Sequence, residues 1–477
     1  MSSPSRRRSK RGLRNAAASD STFIDGTRSE RWSSTPTFVL AVAGSAIGFK
    51  TIWQFPNLAA ENGGGAFILI YLLFSLLFGA PLLIAQIMLG RRAHASPAKT
   101  LGVLGSRVRG RRYWAIVGGT AVVGGFVIFS YLSVIAGWTI AYFVRALYGA
   151  LSGLTADGLS SLFATFVKDP EKQVFWHSLF TVGVVAIAAR GVRQGLEPAV
   201  RWLVPVVYAL LLMLSVYAIS ISGFEDIARY LFNPDFTKLS PYTWLLALAQ
   251  VFFSLGLGTG VTLMYGAYLK ADASIARAGM TVVGLDVLTS VIAAILVFAI
   301  LFGGGVAPAS GPNLMFQVLP LAFDHLPLGR WTVGVFFALL VFIALVMGIA
   351  LLEPAIVWLD ERFGMKRQRA AIVTGLVAWA LGLVTVFSFN YAAFSFKFLG
   401  VEKNLGAFDV LQSVTAEAML PLAGLLMAVF AGWMLKAETA REELAMRSPC
   451  SFDAWIWLLR VLAPPLLSLL LLTVYRL

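Results

Sequence analysis

The chain has 477 residues, 58% of them hydrophobic and only 13% charged, with a formal net charge of +14. Soluble globular proteins carry roughly 25% charged residues, so the composition excludes a soluble enzyme or binding module and points to a polytopic membrane protein. The basic excess does not indicate nucleic acid, because it sits in the N-terminal tail and in short loops between apolar runs.

Residues 1–31 are polar and basic (Arg6, Arg7, Arg8, Lys10, Arg11, Arg14) and lack the apolar core of a cleavable signal. They read as a disordered cytoplasmic tail that can touch anionic lipid. From residue 32 onward the chain reads as one transmembrane domain. A spanning helix needs roughly 20 apolar residues, and eleven segments qualify: 36–62, 66–89, 113–147, 174–190, 198–222, 241–269, 277–304, 330–359, 370–390, 406–435 and 453–475. The third is too long for a straight span, so it tilts or projects.

The first segment is interrupted at Gly44-Ser45-Ala46-Ile47-Gly48-Phe49-Lys50-Thr51. Glycines there free backbone groups at membrane depth, which is tolerated only where they face a ligand or a cavity. Lys50 adds a charge where charge is costly and usually functional. The sixth segment is interrupted at Ser254-Leu255-Gly256-Leu257-Gly258-Thr259-Gly260. Breaks five helices apart fit two five-helix repeats, at about 36–222 and 241–435, with an extra helix at about 453–475. Paired broken helices point to a midplane substrate site in a secondary transporter.

Loop charge orients the segments. Arg91, Arg92, Lys99, Arg107, Arg109, Arg111 and Arg112 follow the second segment without an acid, and alternate loops repeat the bias. The N-terminus is therefore expected in the cytoplasm, the C-terminus outside, and the protein in the cytoplasmic (inner) membrane of a bacterium. A single cysteine, Cys450, excludes an internal disulfide, and the scattered His94, His177 and His325 give no reason to expect a metal. No nucleophile–base pair or phosphate-binding loop is visible, so an enzyme is not expected.

The runs Trp32-Ser33-Ser34, Ala43 to Gly48, Trp53-Gln54-Phe55-Pro56 and Ala59-Ala60-Glu61-Asn62-Gly63-Gly64-Gly65-Ala66-Phe67 resemble the first-helix signature of the neurotransmitter:sodium symporters. Gly137-Trp138, Asn233-Pro234-Asp235-Phe236, Gln250 to Gly258, Gly311-Pro312, Leu351-Leu352-Glu353-Pro354 and Leu420-Pro421 extend the similarity over most of the chain after residue 29. The resemblance implies an all-α protein of the leucine-transporter fold, a five-plus-five inverted repeat with helices 1 and 6 broken. It also implies alternating access and an amino acid or related amine as substrate.

Carried over residue by residue, the resemblance places substrate against Ser45, Ala46, Gly48, Lys50, Leu132, Phe253, Ser254, Gly256, Thr259 and Met347. Leu132 stands where the family has a carboxylate-binding tyrosine, and Tyr131, one residue away, is expected to face elsewhere. Phe253 keeps the aromatic lid. The first sodium site falls on Ala46, Thr51, Ser254 and Asp286; Thr51 replaces the family's asparagine and Lys50 its preceding glycine. The second falls on Gly44, Ile47, Ile343, Val346 and Met347, where two hydroxyls have become hydrocarbon and thioether, poor ligands for a hard cation. The outer gate pair aligns with Gln54 and Gln412, and the inner one with Arg28 or Arg31 and with Asp360 and Glu361. Tyr71, Gln250, Ser254 and Ser290 occupy the family's chloride positions; an ordinary polar cluster is the favoured alternative.

The expected function is secondary transport of a small amino acid or related zwitterion. Sodium is disfavoured, chloride is an option, and no other cofactor is expected. Lys50 would stand in for a sodium ion with Asp286 as its partner, coupling being to protons or by exchange. Alternatives for Lys50 are a permanent lock between helices 1 and 7, or snorkelling into the outer vestibule. Alternatives for the protein are a conventional sodium symporter with rebuilt sites and a ligand sensor that does not transport. Glu353 is read as a structural partner to backbone or water, and Glu417 as part of a proton path or a buried hydrogen-bonded acid.

Overall fold

The computed structural model describes residues 30–108, 113–307, 311–391, 394–398, 401–404, 406–446 and 448–473. The tail up to residue 29, with Arg28, and the end Tyr475-Arg476-Leu477 lie outside the described residues.

The first apolar segment starts where Ser34 accepts a hydrogen bond from the Thr37 amide, with Pro36 in the first turn. Helix α1 (Thr35–Ala46) ends at Ile47 and Gly48, both extended, and α2 (Phe49–Glu61) leaves at 61°. The chain continues through α3 (Gly65–Ala93), α4 (Trp114–Leu147), α5 (Pro170–Ala188) and α6 (Val192–Ser222). The second interrupted segment is α7 (Pro241–Ser254), capped by Ser240, and α8 (Val261–Ala267). Between them Gly256, Gly258 and Gly260 all have φ between 61° and 84°, a backbone that side chains with a Cβ rarely adopt. Then follow α9 (Ile275–Gly304), α10 (Gly329–Phe363), α11 (Arg367–Ser388), α12 (Ala407–Met434) and α13 (Pro449–Thr473).

All eleven expected segments are helical. Eight are long and apolar enough to cross a membrane, and the bent α1–α2 pair makes a ninth. The other two fall short for local reasons. Helix α5 carries Glu171, Lys172, Gln173 and His177 in its first half, and the α7–α8 segment is divided by its break. Helix α4, at 34 residues, is about 51 Å long at 1.5 Å per residue and overshoots a hydrocarbon core of about 30 Å.

Helix α1 lies at the centre, packed on α6, α9 and α10, and α4 runs along α10. Helices α3 and α8 approach so closely that a Cβ on Gly90 would stand 1.9 Å from the Leu263 carbonyl oxygen. Small residues permit such contacts inside membranes.

One face of the bundle carries the loop helix Pro97–Arg107 and most of the loop arginines; it is the basic face. The opposite face carries the short helices Ala156–Lys168 and Phe224–Phe232 and a hairpin in which β1 (Phe396–Phe398) pairs antiparallel with β2 (Val401–Lys403).

The basic face is sealed. Trp32, fully buried, packs edge-on against Tyr265 and Tyr268 and donates its indole N–H to the Tyr265 carbonyl. Ser33 donates its amide and hydroxyl to Glu197. Glu353, expected to meet backbone or water, is instead gripped by both terminal nitrogens of Arg367 at 2.9 and 2.6 Å and by the Tyr268 hydroxyl at 2.6 Å. Arg367 also faces Glu30 at 3.7 Å. A fully buried carboxylate satisfies its lone pairs with the nearest fixed donors, and a bidentate guanidinium is the strongest available.

Removing Arg367 leaves Glu353 buried and uncompensated, a loss on the order of 3–5 kcal/mol. Arg367→Ala is expected to lower the melting temperature in detergent far more than Arg229→Ala, whose guanidinium is exposed. Equal shifts would contradict the structural role given to the pair.

Candidate substrate site

The two breaks face one cavity of about 600 Å³. Its wall takes Ser45, Ala46, Gly48, Lys50 and Thr51 from the first break, and Phe253, Ser254, Gly256 and Thr259 from the second. Leu132 of α4, Met347 of α10, and Gln412 and Glu417 of α12 complete it. All ten positions assigned to substrate from the sequence line this space. The cavity runs toward the face opposite the sealed one, past Gln54, Asn57, Gly311, Pro312, Phe408 and Gln412. Both glutamines at the outer-gate positions lie on that route.

Tyr131, expected to face elsewhere, also lines the cavity and stands edge-on to Phe408 at 5.7 Å. Ile128, Tyr131, Leu132 and Ile135 all contribute from α4. Their i, i+3, i+4, i+7 spacing is that of one helical face and was available in the sequence as the signal.

Several hydroxyls in the breaks are engaged locally. Ser45 donates to the Val42 carbonyl at 2.8 Å, Thr259 to the Gly256 carbonyl at 2.6 Å, and Thr51 accepts from the Gly48 amide at 3.4 Å. Thr51 therefore caps the start of α2. Among the described residues the Gln250 side-chain nitrogen and one oxygen of Glu417, both buried, have no hydrogen-bond partner.

The expected Lys50–Asp286 pair is absent. The Asp286 Oδ2 accepts from the Tyr71 hydroxyl at 2.6 Å and from Ser254 at 3.1 Å, with Ser290 3.5 Å from the same tyrosine oxygen. Two hydroxyl donors meet one oxygen of this carboxylate, and the lysine is not among its partners. Lys50 turns the other way, its ammonium 4.5 Å from the centroid of the Phe253 ring. A cation over an aromatic face gains about 0.5–2 kcal/mol. The α1–α2 strap is thus not locked to α9 through Lys50.

At the second sodium position the contacts are apolar. A Cβ on Gly44 would meet Val346 Cγ1 at 3.0 Å, and one on Gly48 would meet the Met347 sulfur at 3.4 Å. Ile47, Ile343 and Val346 are buried beside them. At the inner gate, Glu361 holds the Ser96 hydroxyl at 2.5 Å and faces Lys99 at 3.8 Å, while Arg31 is exposed. The acid at the end of α10 thus secures the loop after α3 instead of the N-terminal arginine; Asp360 is half-buried next to it. Among the described residues no cluster of three or more His, Cys, Asp or Glu could hold a metal.

The sodium:neurotransmitter symporter family model matches residues 29–157 and 172–475. The chain belongs to this family. An uncharacterized sodium-dependent transporter of Bacillus subtilis is 30% identical over 437 residues, 91% of this chain and 95% of the relative. A sodium-dependent nutrient amino acid transporter of Drosophila erecta is 25% identical over 79% of this chain and 69% of its own length. The crystal structure of MhsT in complex with L-phenylalanine superposes with a TM-score of 0.83 at 34% identity, over 94% of this chain and all of that one. This symporter-family member is accordingly a membrane transporter with the leucine-transporter fold, and not an enzyme.

The hydroxyl cradle makes a test possible. Tyr71→Phe takes the closest donor from a buried carboxylate and is expected to cost roughly 1.5–3 kcal/mol. Combined with Asp286→Asn the loss shrinks, because a neutral amide needs that donor less. Thermal unfolding of the four proteins in detergent measures it; additive losses would separate Tyr71 from Asp286.

Proposed function

We propose that this protein is a sodium-independent carrier of an amino acid or related zwitterion. In this reading the Lys50 ammonium receives the substrate carboxylate, supplying the positive charge that sodium would otherwise bring. The observation that carries the reading is a cation on the wall of the cavity, held over Phe253 and left without a paired carboxylate among the described residues. The hydrocarbon of Ile343 and Val346 beside the first break supports it, since sodium prefers hard oxygen ligands. MhsT, similar over nearly the whole chain, holds L-phenylalanine in its crystal structure, and this cavity has an apolar wall of comparable use. Coupling then falls to a proton carried on the lysine or to exchange of one substrate for another.

A sodium-coupled reading is favoured by the sodium-dependent relatives and by one feature of the site. Ser254 and Asp286 remain adjacent at the first sodium position and present oxygen atoms. Uptake into proteoliposomes with sodium replaced by potassium or choline separates the two readings. Unchanged uptake is expected, together with loss of uptake in Lys50→Gly. A sodium-dependent rise in affinity would sink the sodium-independent carrier, and binding without accumulation would mark a sensor.

Chloride follows from the same geometry. We propose that the Asp286 carboxylate occupies the donor cradle of Tyr71, Ser254 and Ser290 that an anion would need. Replacing chloride by gluconate is expected to leave wild-type uptake unchanged, and Asp286→Asn is expected to make it chloride-sensitive. Chloride-dependent uptake by the wild type would refute the assignment.

A further inference from the structure

Arg460 stands on α13, the spanning helix least covered by the rest of the protein, and belongs to none of the motifs noted in the sequence. Its stem lies across Gly432 of α12: a Cβ on that glycine would stand 3.2 Å from the arginine Cγ. The Arg460 Nε–H donates to the Gly432 carbonyl, and the Trp433 indole N–H donates to the Arg460 carbonyl at 3.3 Å. Both helices take a π-helical turn at this contact, Phe430–Met434 in α12 and Leu458–Leu462 in α13. Such turns are rare and recur at functional sites.

Gly432 belongs to the last turn of α12, where carbonyls lack a partner within the helix. Arg460 therefore sits where α12 leaves the bundle on the basic face, next to the loop helix Ala437–Leu444 that Arg91 binds through Glu443. Exposed indoles mark this level as the membrane interface: Trp433 is 63% exposed, and Trp457, one turn before Arg460, is 55% exposed. One guanidinium nitrogen is engaged by Gly432. The other two, Nη1 and Nη2, reach the surface and have neither a hydrogen-bond partner nor a paired carboxylate among the described residues. The one acid of α13, Asp453, lies two turns toward the water and is paired with Arg441 at 2.8 Å. Lys436 and Glu438 are exposed just past the end of α12, so they offset one another in water.

A guanidinium at membrane depth is costly until an anion meets it, and its free edge presents two parallel N–H donors that fit phosphate oxygens. We propose that Arg460, flanked by Trp433 and Trp457, binds the phosphodiester of an anionic phospholipid in the leaflet at the basic face. The occupant is a lipid because the site opens on the outer surface of two spanning helices, where an acyl chain can lie along the exposed Val461 and Leu472 of α13. A zwitterionic lipid fits less well: its head-group cation sits close to its phosphate and cancels part of the attraction to the arginine. Gly432 and Trp433 are positioning residues, since they hold the arginine stem and backbone and leave the fork free. The bound lipid touches a helix on each side of the crevice and so fastens α13 to α12.

Native mass spectrometry of the delipidated full-length protein in detergent, given equal amounts of phosphatidylglycerol and phosphatidylcholine, tests it. The wild type is expected to retain phosphatidylglycerol as its first bound lipid roughly tenfold or more over phosphatidylcholine. Arg460→Gln is expected to lose the preference, and Arg460→Lys to keep part of it, since an ammonium lacks the two parallel donors. Arg229→Gln, exposed on the opposite face, is expected to keep all of it. A phosphatidylglycerol with a photoreactive group beside its phosphate is expected to label the peptides that hold Trp433 and Trp457. Equal retention of the two lipids by the wild type overturns the proposal, as does a preference that survives Arg460→Gln. Labelling that misses both peptides overturns it even if the Arg460 variants do not fold. Displacement of the lipid by glycerol phosphate would assign the guanidinium to a soluble phosphate and overturn the lipid site.

Discussion

A charge inside an apolar bundle must find a partner, and this requirement organises the protein. Glu353 is met by Arg367 and Tyr268, Glu361 by Ser96 and Lys99, Asp286 by Tyr71 and Ser254, and Glu417 by Lys403. The contacts of Glu353 with Tyr268, Glu361 with Ser96 and Asp286 with Tyr71 join segments distant in the chain. The first two tie down the basic face, the third fixes α3, α7 and α9 to one another, and the fourth brings the outer hairpin onto α12. Lys50 differs from these acids: it meets an aromatic face and a cavity.

The same requirement applies to backbone. At Ile47–Gly48 and Leu255–Gly260 the chain gives up helical hydrogen bonds in the middle of the bundle. Side-chain hydroxyls take over part of the load: Thr51 for the Gly48 amide, Thr259 for the Gly256 carbonyl and the Val261 amide. The remaining polarity faces the cavity. Sealing by Trp32 on one face and a route past Gln54 and Gln412 on the other give the cavity access from one side only, as alternating access demands of any single state.

Much of this was legible in the sequence. Glycine clusters in two apolar segments located both breaks; in the second, Gly256, Gly258 and Gly260 take a left-handed backbone that residues with a Cβ rarely adopt. Positions in the cavity followed from the family motifs, since those motifs fix register along each helix. The partners of the buried charges were less legible. Lys50 and Asp286 are near neighbours in the fold, and opposite charge alone suggested a pair. The structure instead hands Asp286 to two hydroxyls and turns the lysine toward Phe253. Tyr131 was misplaced for a simpler reason: a wide cavity admits two adjacent residues of one helix face.

The sequence by itself determined the membrane class, the helical segments, the family, the two breaks and the apolar residues beside the first of them. These rest on composition, local spacing and motifs, which act along one chain segment at a time. Only the tertiary structure decided which donor reaches which acid, and therefore which charge is left for a ligand. Several donors compete for each buried carboxylate, and the winner is set by distances between helices that no single segment encodes.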